Sequence, residues 1–271
     1  MVINLQSSVV RALLFVIAVY VVFAALAKLT ADRQIFLPPP PTYTARDLPL
    51  IRIATADGGE IAALHLPNPS SRITMLVSHG NAEDLGWLAP FLLEMREAGF
   101  SVIAYDYRGY GASSGPAATE RRSYRDIEAV YRYAVDTLKI APERIVVYGR
   151  SVGAGPSIHL AARAPVGGLV VESGFTSAFV VVTRVPLFPF DSFPNLRTIR
   201  KVQCPVLVVH GAEDDIIPPR HSKALFAAAP EPRRLVMVPG AGHNDLAAVA
   251  GDGYWTMLRE FAAVVVSRTP A

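Results

Sequence analysis

Ser151 stands in Gly149-Arg150-Ser151-Val152-Gly153, a G-x-S-x-G pattern that closes the apolar run Val146–Tyr148. A segment of helical period follows it directly. A strand–turn–helix of this form holds the serine oxygen at the top of a sheet, exposed to a substrate. The turn is so tight that its flanking residues have almost no room for side chains, hence glycine on both sides. The pentapeptide also recurs by chance, so its partners must decide its meaning.

A serine hydroxyl is a poor nucleophile until a base takes its proton, so Ser151 needs a histidine and an orienting acid. The chain has six histidines. His65 and His159 fall mid-element, and His221 falls in a polar helical segment. His79 and His210 each sit just after an apolar strand and before a glycine, where a turn is expected. His243 alone occupies a glycine-rich loop, Pro239-Gly240-Ala241-Gly242-His243-Asn244, between the last strand and the last helix. That loop can carry an imidazole across the sheet edge, which makes His243 the base. The acid should follow a strand between serine and histidine. Glu213, Asp214 and Asp215 lie in such a loop, with Glu172 and Asp191 as further acid positions.

The tetrahedral intermediate of acyl transfer also needs preorganised N–H donors. One expected donor is the Val152 amide at a helix start, where the dipole helps. The other is the Asn81 amide in Ser78-His79-Gly80-Asn81-Ala82, after the run Ile73–Val77. His79 then reads as a loop-bracing residue. Gly109, Gly111 and Gly115 nearly spell a phosphate-cradling loop, but the G-x-G-x-x-G spacing fails and there is no G-K-[ST]. Asp106 and Arg108 are expected to brace that loop. Neither H-E-x-x-H nor paired C-x-x-C occurs, so neither a metal nor another cofactor is expected. Cys204, the one cysteine, reads as a small buried filler.

The elements that must position these residues follow from hydrophobic pattern. Leu50–Ala56 and Glu60–Leu66 read as a hairpin joined at Asp57-Gly58-Gly59. Six further apolar runs read as strands: Ile73–Val77, Ser101–Tyr105, Arg144–Tyr148, Gly168–Val171, Pro205–Val209 and Leu235–Val238. Helical periods occupy Leu85–Ala98, Ser123–Leu138, Gly153–Arg163, His221–Ala228 and Tyr254–Val266. Continuous apolar strands alternating with helices predict a mostly parallel sheet covered on both faces, in one α/β domain over residues 50–271. Between Glu172 and Gln203 the pattern breaks, and Phe175, Phe179, Phe188, Phe190 and Phe193 crowd among prolines. Residues 174–203 therefore read as an irregular crossover or a short aromatic lid over the site.

Ala12–Ala27 is sixteen residues without a charge, between Arg11 and Lys28. Snorkelling flanks extend it to a bilayer span, so residues 1–34 read as a membrane anchor, or as a signal peptide cut after Ala25-Leu26-Ala27. The length of the run favours the anchor; the flanking charges leave its orientation open. Pro38–Pro41 then marks residues 35–49 as a semi-rigid linker. A net charge of +3 without a dense basic block argues against nucleic acid as a partner.

Five ordered motifs carry a resemblance: HGNAEDLG at 79–86, YDYRGYGASSG at 105–115, GRSVGAGPS at 149–157, HGAEDDIIP at 210–218 and GAGHND at 240–245. With FLPPPPTY at 36–43 and FDSFPN at 190–195, the chain resembles the Bem46-like branch of the α/β-hydrolase superfamily and is similar to the ABHD13 and ABHD17 groups. The resemblance implies an α/β-hydrolase fold with a triad at Ser151, Asp214 and His243, Asp214 standing three residues after Gly211. The ABHD17 group removes palmitate from protein cysteines and attaches to membranes through an acylated cysteine cluster. This chain carries an apolar N-terminal segment instead. The expected activity is hydrolysis of an ester or thioester, with an acyl chain lying under the phenylalanine-rich segment. An amidase or peptidase using the same triad, or a membrane-tethered binding protein without turnover, are the other readings.

Overall fold

The computed structural model describes residues 5–44 and 46–268. In chain order its elements are α1 (Leu5–Ile35), β1 (Leu50–Ala54), β2 (Glu60–Leu66), β3 (Thr74–Ser78), α2 (Leu85–Glu97), β4 (Ser101–Tyr105) and α3 (Glu120–Arg132). There follow β5 (Ile145–Arg150), α4 (Ala154–Ala161), β6 (Gly168–Glu172), α5 (Ala178–Thr183) and α6 (Asn195–Thr198). The chain continues through β7 (Val206–Gly211), α7 (Arg220–Ala228), β8 (Arg233–Val238), α8 (Leu246–Ala250) and α9 (Asp252–Arg268). The eight strands form one sheet in the order β1-β2-β4-β3-β5-β6-β7-β8. β1 pairs antiparallel with β2, and β2 antiparallel with β4. Every later pairing is parallel.

Successive side chains of a strand point to opposite faces, and β5 shows why its sequence is apolar throughout. Val147 joins a cluster with Ile127 and Val130 of α3 and Ile158 of α4. Its neighbours Val146 and Tyr148 join the opposite cluster with Leu88 and Leu92 of α2 and Leu258 and Phe261 of α9. Fully burying one such aliphatic side chain contributes about 1.5–3 kcal/mol. A strand that is buried on both faces has no position left for a polar residue until its end.

Element ends shift from the expected ones by a few residues, with local causes. Thr119 caps α3, its hydroxyl accepting from the Arg122 amide at 3.2 Å, so the helix starts earlier than Ser123. The helix then loosens into one π turn over Tyr133–Thr137. β7 runs on to Gly211 because His210 and Gly211 still pair with Met237 and Val238 of β8. His210 is thus a strand residue, not the turn residue expected from its neighbouring glycine.

α1 is longer than its uncharged run. Val9–Ile35 has a mean hydropathy of 2.7 over its best window, and most of its large apolar side chains are exposed. At 1.5 Å per residue such a helix covers about 40 Å, enough to cross a hydrocarbon core of about 30 Å. The proline-bearing stretch after it does not stand clear of the domain. Phe36 is buried against Tyr107 and Phe193, and the Leu37 amide donates to Asn81 Oδ1 at 2.8 Å. Beyond the prolines, the Thr42 amide donates to Asp84 Oδ2 at 2.7 Å, and the buried Tyr43 hydroxyl donates to Asp106. Pro38–Pro41 spans the gap between two pinned points, where extended chain without N–H donors fits.

Arg108 is among the largest fully buried side chains of the described residues. Its Nε donates to Asp126 Oδ1 of α3 at 2.8 Å, and its two terminal nitrogens donate to Asp57 of the β1–β2 turn at 3.0 and 2.9 Å. The three groups together tie the edge hairpin to the helix layer. Removing one partner leaves the other charge buried and unpaired, a loss of about 3–5 kcal/mol. Arg108→Leu should lower the urea unfolding midpoint by that equivalent; an unchanged midpoint would contradict this role.

Candidate active site

The turn after β5 is built by steric exclusion. A Cβ on Gly149 would stand 2.4 Å from the Gly153 carbonyl oxygen, and a Cβ on Gly153 would stand 2.1 Å from the Ser78 carbonyl oxygen. No other residue fits either position. Ser151 itself is held at φ +52°, a left-handed conformation that costs a non-glycine residue energy. One 3₁₀ turn, Ser151–Gly153, then leads into α4. The result is a serine thrust clear of the sheet edge and fixed against β3.

Three sequence-derived residues meet there. Ser151 Oγ lies 3.0 Å from His243 Nε2, and His243 Nδ1 lies 2.7 Å from Asp214 Oδ2. Asp214 is buried, whereas Glu213 and Asp215 beside it are exposed. Its other oxygen accepts the amides of Ile216 and Ile217 at 3.0 and 2.8 Å. Burial opposes ionisation of Asp214, but hydrogen bonds from His210, His243 and the Ile217 amide outweigh it and hold the carboxyl below the usual carboxylate range. An ionised carboxylate on Nδ1 fixes the imidazole tautomer that leaves Nε2 free to accept the serine proton.

The other acids have different work. Glu172 Oε2 accepts from the buried Tyr148 and Tyr254 hydroxyls at 2.7 and 2.5 Å. Asp191 Oδ1 accepts the Phe179 and Ser192 amides at 3.0 and 2.8 Å within the phenylalanine-rich segment. Of the remaining histidines, His159 stacks on Tyr124 at 3.8 Å and meets Glu128 at 3.0 Å. His65 lies in β2, paired with Ile103. Cys204 is buried, and burial pushes its thiol up to about 12.

The loop after β3 is braced from several sides. The Gly80 amide donates to Glu83 Oε2 at 2.8 Å, and the Tyr110 hydroxyl donates to Asn81 Oδ1 at 2.9 Å. His79 Nδ1 meets the Gly80 carbonyl at 2.7 Å, and its own carbonyl accepts from the Tyr107 hydroxyl at 2.9 Å. Asp106 Oδ1 accepts the Leu85 amide at 2.9 Å, fixing the start of α2. Asn81 and Val152 both line the cavity above Ser151.

Two participants have roles that sequence reasoning did not assign. Arg150, next to Ser151, ion-pairs with Glu83 at 3.0 Å and Glu172 at 3.5 Å, and donates to the Asn244 carbonyl at 3.3 Å. It thereby joins the loop after β3, the end of β6 and the histidine loop. The signal was a charge closing an otherwise apolar strand. His210 Nε2 lies 2.7 Å from the Ile217 carbonyl and 3.1 Å from Asp214 Oδ2, while Nδ1 lies 2.6 Å from the Ser222 hydroxyl. The carbonyl can only accept, so Nε2 carries the proton and His210 steadies the acid loop. The cavity over Ser151 measures about 410 Å³ and is walled by Gln34, Ile35, Phe175, Val181, Val182 and Ile216.

Known proteins share this arrangement of sequence. The human alpha/beta hydrolase domain-containing protein 17B is 36% identical over 246 residues, covering 80% of this chain and 85% of the relative. The chain belongs to the alpha/beta hydrolase domain-containing protein 17 family. The mouse family member 17C is 35% identical over 227 residues, covering 81% of this chain and 70% of its own. A family model described as "Serine aminopeptidase, S33" matches residues 69–183. Among solved structures, the Pyrococcus furiosus esterase Pf2001 superposes with a TM-score of 0.69 at 19% identity, over 83% of this chain and 98% of that one. The Rhodococcus esterase RhEst1 gives 0.65 at 18% identity, over 80% and 99%. At such identities the structures speak for the fold, which is the α/β-hydrolase fold.

His221 of α7 holds the start of the phenylalanine-rich segment. Its Nδ1 lies 2.9 Å from the Thr176 hydroxyl. Burial pulls its pKa down to about 4, with Arg220 and His210 acting in the same direction and Asp214 against them. Below its unfolded pKa of about 6.5 the unfolded chain takes up the proton first, so this contribution is complete above that pH and is lost toward pH 4. His221→Gln should therefore flatten the fall in urea midpoint between pH 7 and pH 4.5 relative to wild type. His65 and His159 shift downward as well, so the difference between the two proteins is the readout. Parallel pH curves would contradict the assignment.

Proposed function

We propose that this protein is a serine hydrolase that cleaves carboxylic ester or thioester bonds through an acyl-enzyme. The observation that carries the reading is the unbroken series Asp214, His243, Ser151 at hydrogen-bond distances, with Ser151 and His243 lining one cavity. His243 Nε2 takes the Ser151 proton as Oγ bonds to the substrate carbonyl carbon. The carbonyl oxygen becomes an oxyanion, for which the Asn81 and Val152 amides are the donors we assign. Val152 belongs to the first turn after β5, where N–H groups have no intrahelical acceptor. Collapse of the adduct breaks the bond to the alcohol or thiol, which leaves with the proton from His243. Water then repeats the sequence on the acyl-serine and releases the carboxylic acid.

An ester or thioester fits the cavity better than the terminal amine of a peptide. The carboxylate among the described lining residues is Glu83, and Arg150 and the Gly80 amide already engage it. Its charge is already balanced by Arg150 instead of standing free for a substrate ammonium. The rest of the wall is mostly apolar, which suits an acyl group. In this reading α1 is a single-pass anchor, residues 50–271 are the catalytic domain, and 174–203 are its lid. Acyl-bearing molecules at the membrane are its substrates.

A fluorophosphonate probe, which reacts with an activated serine, should label the wild-type protein and not Ser151→Ala. Equal labelling of both would overturn the nucleophile. Asp214→Asn should lower kcat for a p-nitrophenyl ester by about 10⁴-fold, the scale seen when a triad histidine is left in the wrong tautomer. Asp215→Asn, altering an exposed neighbour, should stay near wild type. The reverse order would refute Asp214 as the acid.

A further inference from the structure

Gln34 and Ile35 at the end of α1, with Ala178 and Val182 on α5, line two cavities at once. One is the cavity over Ser151. The other, about 350 Å³, lies between α1 and α5 and is walled mainly by Phe23, Leu26, Ala27, Ala31, Phe179 and Phe188. We propose that this cleft binds the hydrocarbon chain of an acyl substrate whose carbonyl sits at Ser151. The N-terminal helix is then one wall of the substrate site as well as an anchor. The proposal rests on the esterase reading above.

Three observations select this occupant. The four shared lining residues set the cleft directly beside the reacting carbonyl's cavity, where a chain attached to that carbonyl would need it. Phe23, Ala27 and Ala31 recur every four residues, so they form one stripe on α1, and its two alanines open a trough facing α5. A mostly apolar trough without a charged side chain suits methylene groups better than a charged headgroup.

The level of the cleft also fits. The Tyr20 hydroxyl donates to the Leu187 carbonyl at 3.0 Å, and the Phe23 and Phe188 rings lie 5.6 Å apart. The tip of the phenylalanine-rich segment therefore rests beside residues 20–23, inside the uncharged run of α1. Val182, Val185 and Leu187 around this tip are 81%, 57% and 48% exposed. Apolar side chains exposed beside a membrane-length helix are matched by hydrocarbon. A chain lying in the cleft would leave the bilayer laterally and reach Ser151 without crossing water.

The test uses the full-length protein in lipid nanodiscs and a series of p-nitrophenyl esters from butyrate to decanoate. A butyryl chain is short enough to end in the Ser151 cavity, whereas a decanoyl chain must enter the cleft. Each buried methylene can raise kcat/KM by about fourfold, so the decanoate-to-butyrate ratio should exceed about tenfold in wild type. Ala27→Trp, which fills the trough, should cut that ratio by about tenfold or more. Val182→Asp, at an exposed position on the rim, should also lower it and does not depend on repacking α1. Wild-type ratios in both variants would overturn the cleft while leaving the esterase reading intact. No turnover of any ester by wild type would overturn both. A wild-type preference for butyrate would also reject the cleft.

Discussion

The turn after β5, closed on itself at Gly149 and pressed against the end of β3 at Gly153, is the constraint on which the rest of the site depends. With a carbonyl oxygen 2.1 Å from where a Cβ would stand on Gly153, the turn can exist only as glycine permits it. That contact sets Ser151 at positive φ and puts the loop after β3 beside it, so that a Cβ on Gly80 would be 3.6 Å from the Ser151 Cβ. Ser151 and the loop after β3 are thereby placed by backbone packing, before any side-chain interaction is counted. The strain at Ser151 is held by an eight-stranded sheet whose central strands are buried on both faces.

Around that turn, buried and half-buried polar groups satisfy one another in two sets. Arg150 balances Glu83 and Glu172, and through the Asn244 carbonyl it reaches the histidine loop. Asp214 is surrounded by His210, His243 and the amides of Ile216 and Ile217. Both sets sit at strand ends, where apolar burial gives way to loops. The first fixes loops relative to the serine; the second fixes the histidine's tautomer.

Much of this was legible in the chain because the signals are local. Glycines on either side of Ser151, a glycine-rich loop carrying His243, and apolar runs of strand length each have a short-range physical cause. The choice of Asp214 over Asp215 was carried by resemblance, since adjacent loop residues differ only in which one the fold buries. The role of Arg150 was not legible for a related reason: Glu83, Glu172 and Asn244 lie far from it along the chain, and no spacing in sequence marks such meetings. His210 read as a turn residue because nothing local shows that β7 runs on to Gly211. The proline-bearing stretch looked like a spacer because polyproline carries no sign of what pins its ends. Phe36 and Tyr43 supply those pins, and their pockets are made by Tyr107, Phe193 and Asp106, far along the chain.

The central claim is that Ser151 carries the acyl group during turnover. It is tested most directly by acid-quenching the wild-type protein during hydrolysis of a slowly deacylated p-nitrophenyl ester and mapping the modified peptide by mass spectrometry. The account predicts one acyl group per chain, located on Ser151 and formed in step with an initial release of nitrophenol. An acyl group on any other residue, or sustained turnover by Ser151→Ala, would contradict it.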